Sequence, residues 1–96
     1  MQRDNILALL KKHRQAWEKF GVARLALFGS FARDEASEHS DIDMLVRFAQ
    51  TPTAKDYFGL QFYLEDLLGR PVDLVTEKSL RPELWPFVEK DLIDVA

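Results

Sequence analysis

An α/β (α+β) fold, a small mixed β-sheet flanked by helices, is what this sequence predicts, and three observations carry it. Stripes of apolar residues at helical spacing alternate with short apolar runs of strand length, in the order α-β-α-β-α-β-α. Glycines stand where the helical stripes end, at Gly21 and Gly69. The composition, 47% hydrophobic and 30% charged, is that of a chain that folds. Its 96 residues have room for one core, so residues 1–96 are expected to be a single domain.

Asp4 or Asn5 is positioned to cap a first helix, in which Ile6, Leu10, His13, Trp17 and Phe20 fall on one stripe. Gly21 stops that helix, and Val22–Phe28 reads as a strand. Gly29 and Ser30 turn out of it into a short helix over Phe31–Ala36. After a polar loop at Glu38–Ser40, Asp41–Phe48 is a second strand, with Met44-Leu45-Val46 suggesting burial on both faces. Thr51-Pro52-Thr53 punctuates the chain ahead of a helix over Ala54–Leu68, which Gly69 ends. Pro71–Thr76 is a third strand. Beyond Ser79 the chain reads as helical, with Pro82 in a first turn and Pro86 as an interruption. Leu92–Val95 is either a helix end or a short edge strand. Trp17, Trp85, Phe87, Tyr57 and Tyr63 are expected to pack inside, and the apolar stretch Leu84–Phe87 is also a candidate docking patch for a second copy or a partner, as a homo- or hetero-oligomer.

The net charge of −3, with no dense cluster of Lys or Arg, disfavours nucleic acid as the main partner. There is no cysteine, hence neither a disulfide frame nor a thiolate metal site. No apolar run approaches a membrane span and the N-terminus is not a secretory signal, so a cytoplasmic protein is expected.

Two features carry chemistry. Asp41 and Asp43 flank Ile42 in an apolar strand, so their carboxylates point to one face about 7 Å apart along the strand and repel each other. A hard divalent cation such as Mg²⁺ resolves that conflict, completed by water and substrate phosphates. Asp73, the acidic residue inside Val72-Asp73-Leu74-Val75, is the natural third ligand if the two strands are neighbours. Such a set suits two metals. The second feature is Gly29-Ser30, where glycine lets the backbone approach a phosphate and serine adds a hydroxyl and a backbone N–H. Arg33, three residues on, is the candidate to face back over the phosphates. Either feature alone is common; together they point to a nucleoside triphosphate with its metals. No candidate nucleophile adjoins them, so the attacking hydroxyl is expected to arrive on a partner.

Gly29-Ser30-Phe31-Ala32-Arg33, then Ser40-Asp41-Ile42-Asp43, then Val72-Asp73-Leu74, resembles the DNA polymerase β-like nucleotidyltransferase superfamily. Length and layout are similar to its minimal nucleotidyltransferases over nearly the whole chain. The resemblance implies a polymerase β-like core with ATP as substrate and two Mg²⁺ as cofactors. Asp41 and Asp43 would bind both metals; Asp73 would bind the catalytic one and help deprotonate the incoming hydroxyl. Gly29 and Ser30 would hold the triphosphate. It further implies transfer of AMP to a tyrosine of a partner HEPN-domain toxin, with release of pyrophosphate, so that the chain acts as an antitoxin. Asp34 departs from the pattern, standing where the family often has glycine. Two alternatives follow: an antitoxin that binds without chemistry, and nucleotidyl transfer to a small molecule such as an aminoglycoside or to an RNA end.

Overall fold

The computed structural model describes residues 1–95, built around a four-stranded sheet in the order β3-β2-β1-β4. The strands are β1 (Val22–Phe28), β2 (Ile42–Phe48), β3 (Val72–Thr76) and β4 (Ile93–Asp94). β1 runs antiparallel to both β2 and β4, whereas β2 and β3 are parallel. That parallel step requires a crossover, which is α4 (Ala54–Leu68), the longest helix. The mixed, helix-flanked sheet is the one the sequence predicts. Of the two readings of the C-terminal stretch, the edge strand is realised.

Alternation along each strand sorts the sheet into two faces. Leu25 and Leu27 of β1, Ile42, Met44 and Val46 of β2, and Val72 and Leu74 of β3 are buried in one cluster. Ile6, Leu10 and Trp17 from the N-terminal helices and Leu60, Leu64 and Leu68 from α4 close over them. The intervening residues, Asp43 and Asp73 among them, emerge on the opposite face. Helix burial thus confines the acidic residues to the side that the main helices leave free.

α4 starts and stops as its sequence dictates. The Asp56 N–H donates to Thr53 Oγ1 at 3.1 Å, the Thr53 N–H returns a bond to Asp56 Oδ2 at 3.4 Å, and Gly69 closes the end at φ +69°. Thr53→Ala should cost about 1 kcal/mol, read as a lower urea midpoint at unchanged m-value.

The first helical stretch differs from expectation. It is two helices, α1 (Arg3–Lys12) and α2 (Arg14–Glu18), broken at His13. The Trp17 indole N–H donates to the Leu10 carbonyl at 2.8 Å, satisfying a group at the α1 terminus while folding the indole into the core. Gln2, without a side-chain cap bond, occupies the N-cap in place of Asp4 or Asn5; Asp4 instead sits in the first turn, where its charge suits the helix dipole.

The short helix after β1 is also earlier and shorter than predicted, α3 (Gly29–Ala32), because the chain turns away at Asp34 with φ +62°. Beyond β3 come two 3₁₀ turns, Glu77–Ser79 and Pro82–Leu84, then α5 (Trp85–Glu89), in whose first turn Pro86 is accommodated. Phe87, expected in the core, is 65% exposed, with the Lys90 ammonium 5.9 Å from its ring. Trp85 is half-buried, and Trp17 is fully inside. Among the described residues no helix is long and apolar enough to cross a membrane.

Candidate active site

Strand register brings the predicted residues together. Asp43 and Asp73 are direct partners in the parallel β2–β3 ladder, which sets their backbones about 5 Å apart on one face. Asp41 lies just ahead of β2, whose start is fixed by the Ile42 N–H donating to the Pro71 carbonyl at 3.0 Å. On its other side, Asp43 is the partner of Phe28, the last residue before the Gly29 turn.

The turn and the carboxylate are in close contact. Gly29 has φ +76°, and a Cβ built there would fall 2.9 Å from Asp43 Cγ and closer still to its oxygen. Glycine is therefore needed at this position twice over, for the left-handed backbone and for the space that the Asp43 carboxylate occupies. Ser30 follows, partly exposed, its carbonyl accepting from the Glu35 N–H at 2.9 Å. With α3 only four residues long, the macrodipole expected at this turn is small. What the turn offers a phosphate is the Ser30 hydroxyl and close approach of the backbone.

Half-buried Asp43 has its pKa pushed up to about 6, first by burial, then by the neighbouring Asp73 and Asp41 charges; Arg33 opposes the rise. The folded state therefore holds this proton more tightly than the unfolded chain. Stability conferred by the neutral carboxyl is full below its ordinary value of 3.8 and is lost as pH rises to about 6. In a carbon-detected NMR titration the Asp43 carboxyl should show a midpoint near 6, moving down in Asp73→Asn once the like charge is removed.

Arg33 is near enough for its charge to act on Asp43, yet its guanidinium is engaged elsewhere, Nη1 with Asp91 at 2.7 Å and Nε with Glu35 at 3.1 Å. The sequence places Arg33 over the phosphates; in the structure it borders the site, held by carboxylates. Asp91, 58 positions away, was beyond the reach of any local pattern. Asp34 is not among the charges acting on Asp43. Its positive φ is a backbone conformation that glycine adopts without strain, so the residue at this position bears on the turn.

A second set of residues escaped the sequence reading. β3 is an edge strand, so the backbone groups of Val72 and Leu74 that face away from β2 lack strand partners. Side chains of α4 satisfy them. Glu65 Oε2 accepts from the Val72 N–H at 2.9 Å, Gln61 Nε2 donates to the Val72 carbonyl at 3.2 Å, and the Tyr57 hydroxyl donates to the Leu74 carbonyl. The strand carrying Asp73 is thereby pinned on both edges. The signal in the sequence is Tyr57, Gln61 and Glu65 at successive four-residue steps, a polar row beside the apolar face.

Three carboxylates in mutual repulsion are a donor set suited to a hard divalent ion, and that coupling is visible at Asp43. Among the described residues, no three acidic or histidine side chains are gathered closely around one point. Asp41 and Asp73 are exposed, and both carry charges that act on half-buried Asp43. On the chemistry of its donors, the set fits Mg²⁺.

Comparison with known proteins agrees with this geometry. A family model described as a nucleotidyltransferase domain matches residues 10–95. The protein adenylyltransferase MntA of Thermococcus cleftensis is 39% identical over 93 residues, covering 96% of this chain and 94% of its own. A relative from Methanocaldococcus jannaschii, named as a candidate protein adenylyltransferase, is 46% identical over 94 residues, covering 96% of each chain. Among solved structures, one described as a candidate minimal nucleotidyltransferase superposes with a TM-score of 0.84 at 38% identity, over 97% of this chain and 95% of the other. A chain of a toxin–antitoxin complex determined with AMP-PNP has a TM-score of 0.69 at 25% identity, over 100% of this chain and 73% of that one.

Proposed function

Because the chain belongs to the nucleotidyltransferase domain family, we propose that it transfers AMP from ATP to a tyrosine hydroxyl of a HEPN-type toxin, releases pyrophosphate, and acts as that toxin's antitoxin. The observation that carries the reading is the Asp43–Asp73 register pair, with the Gly29 turn packed against Asp43. The names of its relatives, protein adenylyltransferases, and a nucleotide-bound toxin–antitoxin neighbour support the donor, the protein acceptor and the partner class.

Each residue has a part. Ser30 donates its hydroxyl and N–H to the triphosphate, which the bare Gly29 backbone allows to approach. Arg33, at the border, would add positive charge against the phosphates on exchanging its Asp91 and Glu35 partners for them. Asp41 and Asp43 would hold two Mg²⁺, with Asp73 as a further ligand of one. When bound, the metals supply charge neutralisation at the phosphates and lower the pKa of the attacking hydroxyl. Asp73, exposed on the edge strand, would accept the hydroxyl proton as oxygen attacks the α-phosphorus and pyrophosphate leaves.

The test is incubation of wild type and Asp41→Asn/Asp43→Asn with ATP, Mg²⁺ and a HEPN-type toxin, followed by mass spectrometry of the partner. An AMP adduct on a tyrosine, with wild type only, is the expected result. Neutralisation of the toxin by the folded double variant without any adduct would contradict catalysis as the basis of the antitoxin effect.

A further inference from the structure

We propose that the outer face of α4 is a two-fold interface between copies of this chain. Phe58 and Phe62 stand one helical turn apart on that face, 51% and 61% exposed. Phenylalanine is a weaker helix former than the residues usually found on solvent faces, and two adjacent exposed rings mark a contact surface. Lys55 and Asp66 extend the same stripe at either end, both exposed. Among the described residues neither takes part in an ion pair within the chain.

Charge placement decides what covers the stripe. Lys55 lies in the first turn of α4 and Asp66 in the last, so each sits at the end of the helix whose dipole disfavours it. For a solitary helix both are misplaced. Across a two-fold axis through the helix midpoint, a second α4 packs antiparallel. Phe58 then meets the partner's Phe62, and Phe62 meets the partner's Phe58. Lys55 falls opposite the partner's Asp66 and beside its C-terminal carbonyls; Asp66 falls opposite the partner's Lys55 and beside its N-terminal N–H groups. The misplaced charges become complementary, twice per dimer. An isologous contact requires such self-complementarity. The carboxylate face of the sheet lies on the side away from α4, so the pairing leaves both candidate active sites open to an acceptor.

Sedimentation velocity over a micromolar to submillimolar range tests this on the full chain. The expected result is a reversible dimer of wild type and a monomer for Phe58→Ser/Phe62→Ser, with its nucleotide chemistry unchanged. Lys55→Glu, which favours the helix dipole and so preserves folding, should weaken dimerisation about tenfold. Lys55→Glu/Asp66→Lys should restore part of it, since the reversed charges again pair with each other, although each now opposes the partner's helix dipole. The proposal is overturned by a monomeric wild type, by a Phe58→Ser/Phe62→Ser variant that still dimerises, by a double reversal that associates no better than Lys55→Glu alone, or by a monomer that instead binds a different protein through these rings.

Discussion

Asp43→Asn is expected to lower AMP transfer on the order of a thousandfold or more while making the protein more stable. The two effects have one cause. Asp43 is held half-buried beside Asp73 and Asp41, and at neutral pH its ionised form works against the fold, as its pKa of about 6 records. Asparagine keeps the shape and removes the charge. A shift from 3.8 to about 6 corresponds to roughly 3 kcal/mol. Discounted for solvent screening at a half-exposed site, the gain should be about 1 kcal/mol at pH 7. Initial rates and urea denaturation on the same preparation read both quantities. Without metal the variant should be the more stable protein; with Mg²⁺ and ATP the order should reverse, because only wild type gains from binding. Retained transfer, or a loss of stability, would contradict this account of Asp43.

Gly29→Ala should be nearly as damaging by a different route. A side chain there meets the Asp43 carboxylate and forces an L-residue to φ +76°. Backbone strain should cost on the order of 1–3 kcal/mol of stability. Displacement of Asp43 and the phosphate seat by even an ångström should lower transfer about a hundredfold. Gly69→Ala is the matched control, for Gly69 has φ +69° and nothing within 4 Å of an added Cβ. It should lose stability alone. Equal activity losses in the two variants would mean that backbone strain, not contact with Asp43, is responsible.

These residues were legible in the sequence because their placement depends on short-range rules. An Asp-x-Asp in an apolar strand, one aspartate in a second strand and a Gly-Ser turn need only strand alternation and adjacency to converge, and β2 and β3 are neighbours in the expected sense. Helix α4 was readable to its ends, Ala54–Leu68, because Thr53 and Gly69 are chemically specific stops. Features set by tertiary contacts were not. The break at His13 depends on the Trp17 indole reaching the Leu10 carbonyl, and the orientation of Arg33 depends on Asp91 from the far end of the chain. Phe87 was misread as core because an apolar residue near helical repeats carries no mark of which side solvent takes. The Tyr57, Gln61 and Glu65 row was visible as spacing, but its purpose appears only once β3 is known to be an edge strand.

The central claim is that Asp41, Asp43 and Asp73 together hold divalent metal with a nucleotide, and Mn²⁺ binding followed by electron paramagnetic resonance tests it most directly. With a non-hydrolysable ATP analogue present, wild type should bind Mn²⁺ saturably, and Asp43→Asn/Asp73→Asn should lose that binding while remaining folded. Equal Mn²⁺ binding by the two proteins would contradict the assignment of the carboxylates and, with it, the chemistry derived from them.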